Sequence, residues 1–335
     1  MLRLSSKLNI SGFDFTFVNE IEIVNNYEDL TDTCTITIPR NIKLDNKDLV
    51  IGEQSVFKIG DKVTIDLGYD DNNVSCFIGY ITNLSLNLPL VITCEDSMYL
   101  LKKKNLSKTY TYKSANLKTV LSDIIPSTIT YNTNFDISEL GELRIASTET
   151  PASVLAYLRK HFKVYSYFIG ETLEIFVGGE FKVQNRIDHD FKFEDNIIDN
   201  DLKYQKKGDL NIKIKATCDY DEVVDGKRKT KHRSAWFPSE FAEGSVKNFH
   251  YLGNISASEL EKKAENEYNN FSYDGYTGGF TTFGAPYVKA TDGVRLQSDK
   301  LPERNNGKYL VKKVVRNFGV NGYRQKIELG TIIVN

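Results

Sequence analysis

Val63, Ile65 and Leu67 alternate with Thr64 and Asp66, and this period of two predicts a half-buried strand. The run Asp70-Asp71-Asn72-Asn73 is turn chemistry, and a second apolar strand leads on through Phe77, Gly79 and Ile81. Residues 57–84 therefore read as a β-hairpin. The pattern Lys-x-x-Asp-x-Val-x-(Ile/Leu) that opens it, carried by Lys58, Asp61, Val63 and Ile65, returns as Lys289, Asp292, Val294 and Leu296. In both places a loop and then an apolar strand follow, Cys76 to Leu84 in the first and Tyr309 to Val315 in the second. Such an internal echo points to two similar β-domains in one chain, with two unrelated hairpins as the alternative.

The flanking pattern extends the first domain. Phe13, Phe15, Phe17, Ile21 and Ile23 occupy odd positions among mostly polar even ones, a long strand or a bent pair. Cys34, Ile36 and Ile38 alternate with Thr33, Thr35 and Thr37, and Pro39 ends that strand. With Leu90 to Glu95 added, residues 1–97 are rich in strands and predict no helix, the signature of a small antiparallel barrel or sandwich.

Residues 98–188 change period. Leu117, Val120, Leu121, Ile124 and Ile125 line one helical face, and Pro126 stops the helix. A second helix starts with Thr150 as cap and Pro151 at its first position, and its apolar face is Val154, Leu155, Leu158 and Phe162. Two strands joined at Gly170-Glu171 follow, so this segment reads as a small α+β domain, a helix packed on a hairpin.

Residues 189–335 return to strands. Leu210, Ile212, Ile214 and Ala216 alternate with polar residues, and Asp225-Gly226 predicts a type I′ hairpin turn. Ser256 to Glu259 predicts a capping box opening a helix to about residue 269, whose thin stripe of Leu260, Ala264 and Tyr268 suits a surface position. In the last strand Tyr323, Ile327 and Leu329 share a face.

Composition narrows the classes. At 335 residues the chain has room for two or three domains, and a net charge of −2 does not mark the whole chain as a polyanion binder. The N-terminus shows neither the apolar stretch of a signal peptide nor a spanning helix, and no membrane insertion is expected. The four cysteines, at 34, 76, 94 and 218, form no Cys-x-x-Cys or Cys/His set, so buried free thiols are expected and zinc is not.

Candidate chemistry is sparse. His161 falls among the apolar residues of a helix, a structural position. In Asp188-His189-Asp190 a strand would point the histidine away from both carboxylates, and a linker between domains is the expected role. Glu171 and Glu174 fall at a hairpin turn with no cleft partner, and Gly278-Gly279 suits a close strand contact better than a phosphate cradle. No catalytic, metal or cofactor residues are assigned. One run is unusual: in Lys227-Arg228-Lys229-Thr230-Lys231-His232-Arg233 five of seven residues are basic. It is either a solvated hairpin arm or a positive surface for an acidic partner or nucleic acid.

Three passages, taken in order, carry a resemblance. They are Gly60-Asp-Lys-Val-Thr-Ile-Asp-Leu-Gly-Tyr69 with Phe77-Ile-Gly-Tyr-Ile81; Pro151-Ala-Ser-Val-Leu-Ala-Tyr-Leu-Arg-Lys-His-Phe162 followed by Val164 to Leu173; and Gly307 to Phe318 with Gly322-Tyr-Arg. In that order they resemble the baseplate hub proteins of contractile phage tails, the late control protein D family, and the matching module of type VI secretion spike proteins. The basic arm at 227–233 is not required by that pattern. The resemblance implies an α+β, mostly β chain: two tube-protein-like antiparallel β-barrels, residues 1–97 and 189–335, flanking a small α+β domain at 98–188. It implies no enzymatic activity, no cofactor, and a homotrimer whose six barrels adapt a six-fold tail tube to a three-fold spike. Expected partners are the tail tube protein, a separate spike protein and other baseplate proteins, with DNA only passing through the channel. The expected place is the virion tail baseplate, assembled in the bacterial host cytoplasm. A spike on a separate chain is expected because residue 335 comes just after the last strand. Lys227, Arg228, Lys229, Lys231 and Arg233 are the candidate partner contacts. A tail-associated cell-wall hydrolase and a carbohydrate-binding β-protein are the alternatives. The first would show converging acids or a nucleophile–base pair, and the second would be a glycan-binding monomer.

Overall fold

Asp70 and Asp71 take left-handed backbone conformations, φ 51° and 65°, and turn Lys62–Tyr69 back onto Asn72–Ser85 with Tyr69 opposite Asn72. Asn72 and Asn73 already belong to the returning strand, so the turn is tighter than the four-residue polar run suggests. The computed structural model describes residues 2–16, 18–39, 41–44, 47–50, 56–85, 89–133, 137, 140–177, 186–224, 227–252, 255–305 and 307–333, with backbone alone at 41–44, 47–50, 177, 221–224, 227–228 and 252.

Strand accounts for 51% of the chain and helix for 15%, a mostly β, α+β fold. The expected hairpin lies toward one end of a 13-stranded sheet. From one end its order is Ile197–Asn200, Gly279–Phe283, Gly322–Ile332, Lys308–Gly319, Glu20–Asn26, Thr33–Ile38, Leu90–Asp96, Asn72–Ser85, Lys62–Tyr69, Leu4–Ile10 and Phe13–Phe15. Gly293–Gln297 joins alongside Lys308–Gly319 and is itself paired with Asp188–Lys192. Most pairings are antiparallel, but Asp188–Lys192 runs parallel to Gly293–Gln297.

That strand corrects the expected linker at 188–190. His189 is buried with Asp188 and Asp190 on the opposite face, as the alternation requires, and the segment is a sheet member. The segment Phe13 to Val24 resolves into the bent pair, Phe13–Phe15 and Glu20–Asn26.

Four α-helices accompany the strands among the described residues: α1 (Met98–Lys103), α2 (Leu117–Ile124), α3 (Pro151–Phe162) and α4 (Ala257–Phe271). α2 and α3 lie where the sequence places them. Thr150 caps α3 and exchanges hydrogen bonds with Ser153, and Asn116 caps α2. Their apolar faces, with α1 and the hairpin Val164–Ile169/Thr172–Val177, enclose one core. α4 is less peripheral than its thin stripe suggests, because Leu260 and Ala264 are fully buried on the strands Ile212–Val224 and Lys227–Phe237.

Two cores fill the large sheet. Leu8, Ile23, Ile36, Ile65 and Ile92 lie in the first, and Phe191, Phe280, Val294, Tyr309 and Ile327 in the second. Phe318 and Tyr323, from the closing hairpin of the chain, cross over and pack into the first. The strands Lys203–Gln205 and Gly275–Thr277 pair and form a neck. Between them residues 206–274 make an excursion with its own core, in which Ile214, Ala216, Cys218 and Tyr251 meet α4. Gly278 and Gly279 sit just past the neck, where a Cβ would lie 2.8 Å from the Asp201 carbonyl oxygen and 2.7 Å from that of Ile327, a close strand contact.

Candidate functional site

The echoed motif is one piece of structure used twice. Asp61 Oδ2 accepts the Lys58 amide at 2.8 Å, and Asp292 Oδ2 accepts the Lys289 amide at 2.8 Å. The aspartate thereby closes the loop that precedes each strand. The Gly60 amide donates to the Ile81 carbonyl at 2.8 Å and the Ile81 amide to the Asp61 carbonyl at 2.9 Å. Thr291, Val311 and Asp292 repeat both bonds at 2.8 Å. Gly60 and Thr291 both hold positive φ, 94° and 77°. A bulge follows each, between Ile81 and Asn83 and between Val311 and Lys313.

The copies differ in what covers them. Ile59 in the first loop is 62% exposed, whereas Thr291 and Asp292 are buried. Tyr167 Oη shares a 2.9 Å hydrogen bond with Thr291 Oγ1, and His189 Nε2 lies 3.0 Å from Asp292 Oδ2. The second loop thus fastens the α+β hairpin and the strand at 188–192 to the sheet. The hairpin's turn reaches the first repeat through a Lys62–Glu171 ion pair of 2.6 Å. Glu171, at the hairpin turn as the sequence places it, serves as this surface tie.

A buried polar joint lies where the repeats meet. Lys308–Gly319 of the second pairs antiparallel with Glu20–Asn26 of the first. Across this seam the fully buried Arg316 donates to Asn25 Oδ1 and to the Val288 carbonyl, with its guanidinium 4.3 Å from the centre of the Tyr287 ring. Asn25 donates in turn to Asp32 Oδ2 at 2.6 Å, and Asp32 Oδ1 accepts the Asn26 amide. The Asp32 amide donates to Asp96 Oδ2 at 3.1 Å, and the Met98 amide to Asp96 Oδ1. A cleft of about 310 Å³ opens here, lined in part by Asp32, Cys76, Asp96, Tyr167, Tyr287 and Lys289.

Burial raises the Asp32 carboxyl to about 6, against the pull of its Asn25 and Asn26 hydrogen bonds and of Arg316. Burial, and then the charge of Asp32, push Asp96 in the same direction. A carboxyl raised in the folded state holds its proton more tightly there than in the unfolded chain. Its contribution therefore favours folding most below the unfolded pKa of about 4 and is lost as pH rises through about 6. Unfolding free energy measured between pH 4 and 7 should show this fall with rising pH, and Asp32→Asn should reduce the slope. An unchanged slope in that variant would remove Asp32 from the account.

The basic arm is an actual strand, Lys227–Phe237, antiparallel to Ile212–Val224. Its Asp225-Gly226 turn lies outside the described residues, and of Lys227 and Arg228 only the backbone placement is given. Lys229 and Lys231 are exposed, while Arg233 is half-buried. The Arg233 guanidinium donates to the Ile255 carbonyl and lies 4.5 Å from the centre of the Tyr220 ring. The register places Lys229 opposite Glu222, Thr230 opposite Asp221 and His232 opposite Asp219, and His232 is bonded to Asp219. An acidic stretch, 219–222, therefore lies opposite the basic one. Counting outward from Asp225-Gly226 would have found Asp219, Asp221 and Glu222, so that signal was available in the sequence.

His161 is half-buried on α3 beside Tyr157, 4.4 Å between ring centres. The four cysteines are free and buried, and burial pushes the Cys94 thiol up to about 12. Among the described residues no group of three His, Cys, Asp or Glu side chains is placed to hold a metal. Arg316, Asp32 and Asp96 were not singled out by sequence, because no local motif joins them: Asp32 lies in a loop, Asp96 ends a strand and Arg316 lies within another.

No family model matches the chain, and no curated protein is similar to it in sequence. Its fold does recur in solved structures. The 43 kDa tail protein of prophage MuSo2 from Shewanella oneidensis is 16% identical with a TM-score of 0.65, over 98% of each chain. A tail protein from Neisseria meningitidis MC58 is 12% identical with a TM-score of 0.64, over 98% of this chain and 96% of that one. An Escherichia coli component of the type VI secretion system, described as structurally similar to T4 bacteriophage tail proteins, is 10% identical with a TM-score of 0.58, over 97% of this chain and 76% of that one. The likeness is one of fold, shared with phage tail proteins and a type VI secretion component along nearly the whole chain.

Proposed function

We propose that this chain is the structural hub of a phage tail baseplate or a related contractile injection machine. Three copies form a ring of six similar β-units, which presents near six-fold symmetry to a tail tube and true three-fold symmetry to a spike. The observation that carries this reading is the repeat: the same loop, strand and bulge occur twice, and the two copies are joined edge to edge in one sheet. A chain with two similar units in three copies has the symmetry such an adaptor needs. The fold shared with tail proteins supports the same role, which is structural rather than catalytic. The spike is a separate protein seated on the three-fold axis, and the place of action is the virion tail.

Within this reading the arm of Lys227, Arg228, Lys229, Lys231 and Arg233 meets an acidic surface of a neighbouring baseplate protein. The acidic strand opposite it offsets part of its charge, so the contact is a modest, salt-sensitive one. Purified hub mixed with tube and spike proteins should co-sediment with both. Raising salt from 0.1 to 1 M shortens the Debye length from ~10 to ~3 Å and should weaken the arm's contact. Replacing Lys227, Lys229 and Lys231 by serine should remove most of that salt dependence while leaving the fold intact. Absence of binding to either tube or spike protein would contradict the adaptor role.

A further inference from the structure

The repeat shows which strand edges are joined inside the chain and which equivalent edges are left open. Inside, Lys313 lies opposite Asn26, Val314 opposite Asn25 and Val315 opposite Val24. In the first repeat the strand equivalent to Lys308–Gly319 is Asn72–Ser85. The matched hydrogen bonds of Ile81 and Val311, and the bulge after each, align Asn83 with Lys313, Leu84 with Val314 and Ser85 with Val315. Residues 313–315 are paired on both sides, by Gly322–Ile332 and by Glu20–Asn26. Among the described residues, 83–85 are paired on one side only, by Leu90–Asp96.

The open counterpart of Glu20–Asn26 follows from the same alignment. In the first repeat Glu20 pairs with Thr37 and Val24 with Thr33. In the second, Asp199 pairs with Thr281 and Lys203 with Thr277, with the same spacing on both strands. The stretch 199–205 thus occupies the place of Glu20–Asn26. Among the described residues its far edge has no strand partner, and Asp199, Asn200, Asp201 and Lys203 are exposed. An unpaired edge is a template for another strand.

We infer that these two open edges pair between copies of this chain, repeating the internal seam. Carrying its register over places Asn83 of one copy opposite Gln205 of the next, Leu84 opposite Tyr204 and Ser85 opposite Lys203. The contact is head to tail: each copy offers one edge of each kind, so successive copies can close into a ring. The inference rests on the ring proposed above and names the residues that close it.

The test is a disulfide across the seam. Paired residues on antiparallel strands lie ~4.5–5.5 Å apart at Cα, within the ~4.4–6.8 Å span of a disulfide. The native thiols are buried, which keeps the background low. The double variant Ser85→Cys/Lys203→Cys, oxidised with diamide, should give cross-linked dimers and trimers on a non-reducing denaturing gel, at least ten-fold above either single variant. In Ser85→Cys/Asp199→Cys the second thiol is displaced by ~13 Å along the strand, and cross-linking should stay at background. A preparation that contains three chains by light scattering yet does not cross-link at 85/203 would overturn this seam and leave the ring standing. Equal cross-linking of the 85/203 and 85/199 variants would overturn the register. A monomer by light scattering would overturn the ring and the seam together.

Discussion

Replacing Arg316 by alanine should lower the unfolding free energy by about 3–5 kcal/mol, the order of cost of removing a buried charged group from the polar groups that depend on it. The guanidinium is fully buried at the seam between the repeats. Its loss leaves the Val288 carbonyl and the Asn25 side chain without their donor. It also removes the cation that draws the Asp32 carboxyl down. The pH dependence assigned to Asp32 should accordingly move to higher pH in this variant. Arg316→Lys should recover less than half of the loss, because a single ammonium cannot reproduce the forked contact and the stacking on Tyr287. Urea unfolding measures both variants, and a loss below about 1 kcal/mol for the alanine variant would remove Arg316 from its place as the joint's keystone.

Tyr323→Ala should cost about as much, some ~3–5 kcal/mol for a large buried aromatic. Tyr323 is 1% exposed and comes from the last strand of the chain, yet its ring packs in the first repeat's core. It lies 5.5 Å from Phe318 and 5.7 Å from Tyr69, centre to centre, and the Tyr69 hydroxyl donates to its carbonyl at 3.1 Å. Gly284 leaves the room it needs, since a Cβ there would fall 2.0 Å from the ring. The damage should therefore appear far from the mutation in sequence. Amide exchange should accelerate in strands Lys62–Tyr69 and Asn72–Ser85, and Tyr323→Phe should show little of the effect. Exchange that rises only within residues 279–296 would contradict the crossing of the closing hairpin into the first core.

Local signals in the sequence carried a good part of this architecture. The period of two, the Asp70-Asp71 turn and the Thr150-Pro151 start of α3 are short-range features, and each lies where its residues put it. The echo of Lys58 and Asp61 in Lys289 and Asp292 was legible because the same backbone bonds need the same aspartate. Its extent was not, since Gly60 is matched by Thr291, held in the same left-handed conformation by the surrounding bonds. What pairing decides over long separations stayed hidden. Asp188–Lys192 reads as a linker until Gly293–Gln297 supplies its parallel partner. The basic arm is a short-range exception: Glu222 and Asp219 lie opposite it in the register, and counting outward from Asp225-Gly226 already pairs them. Arg316 has no visible role until Asn25 and Val288 arrive from elsewhere in the chain.

In the proposed ring, two repeats per chain in three copies become six units. Light scattering of the purified protein at micromolar concentration and near-physiological salt, alone and with its spike partner, reads this number from the mass. The mass of three chains is expected, retained on dilution because obligate interfaces bury on the order of 2,000–5,000 Å². The mass of a single chain under both conditions would contradict it.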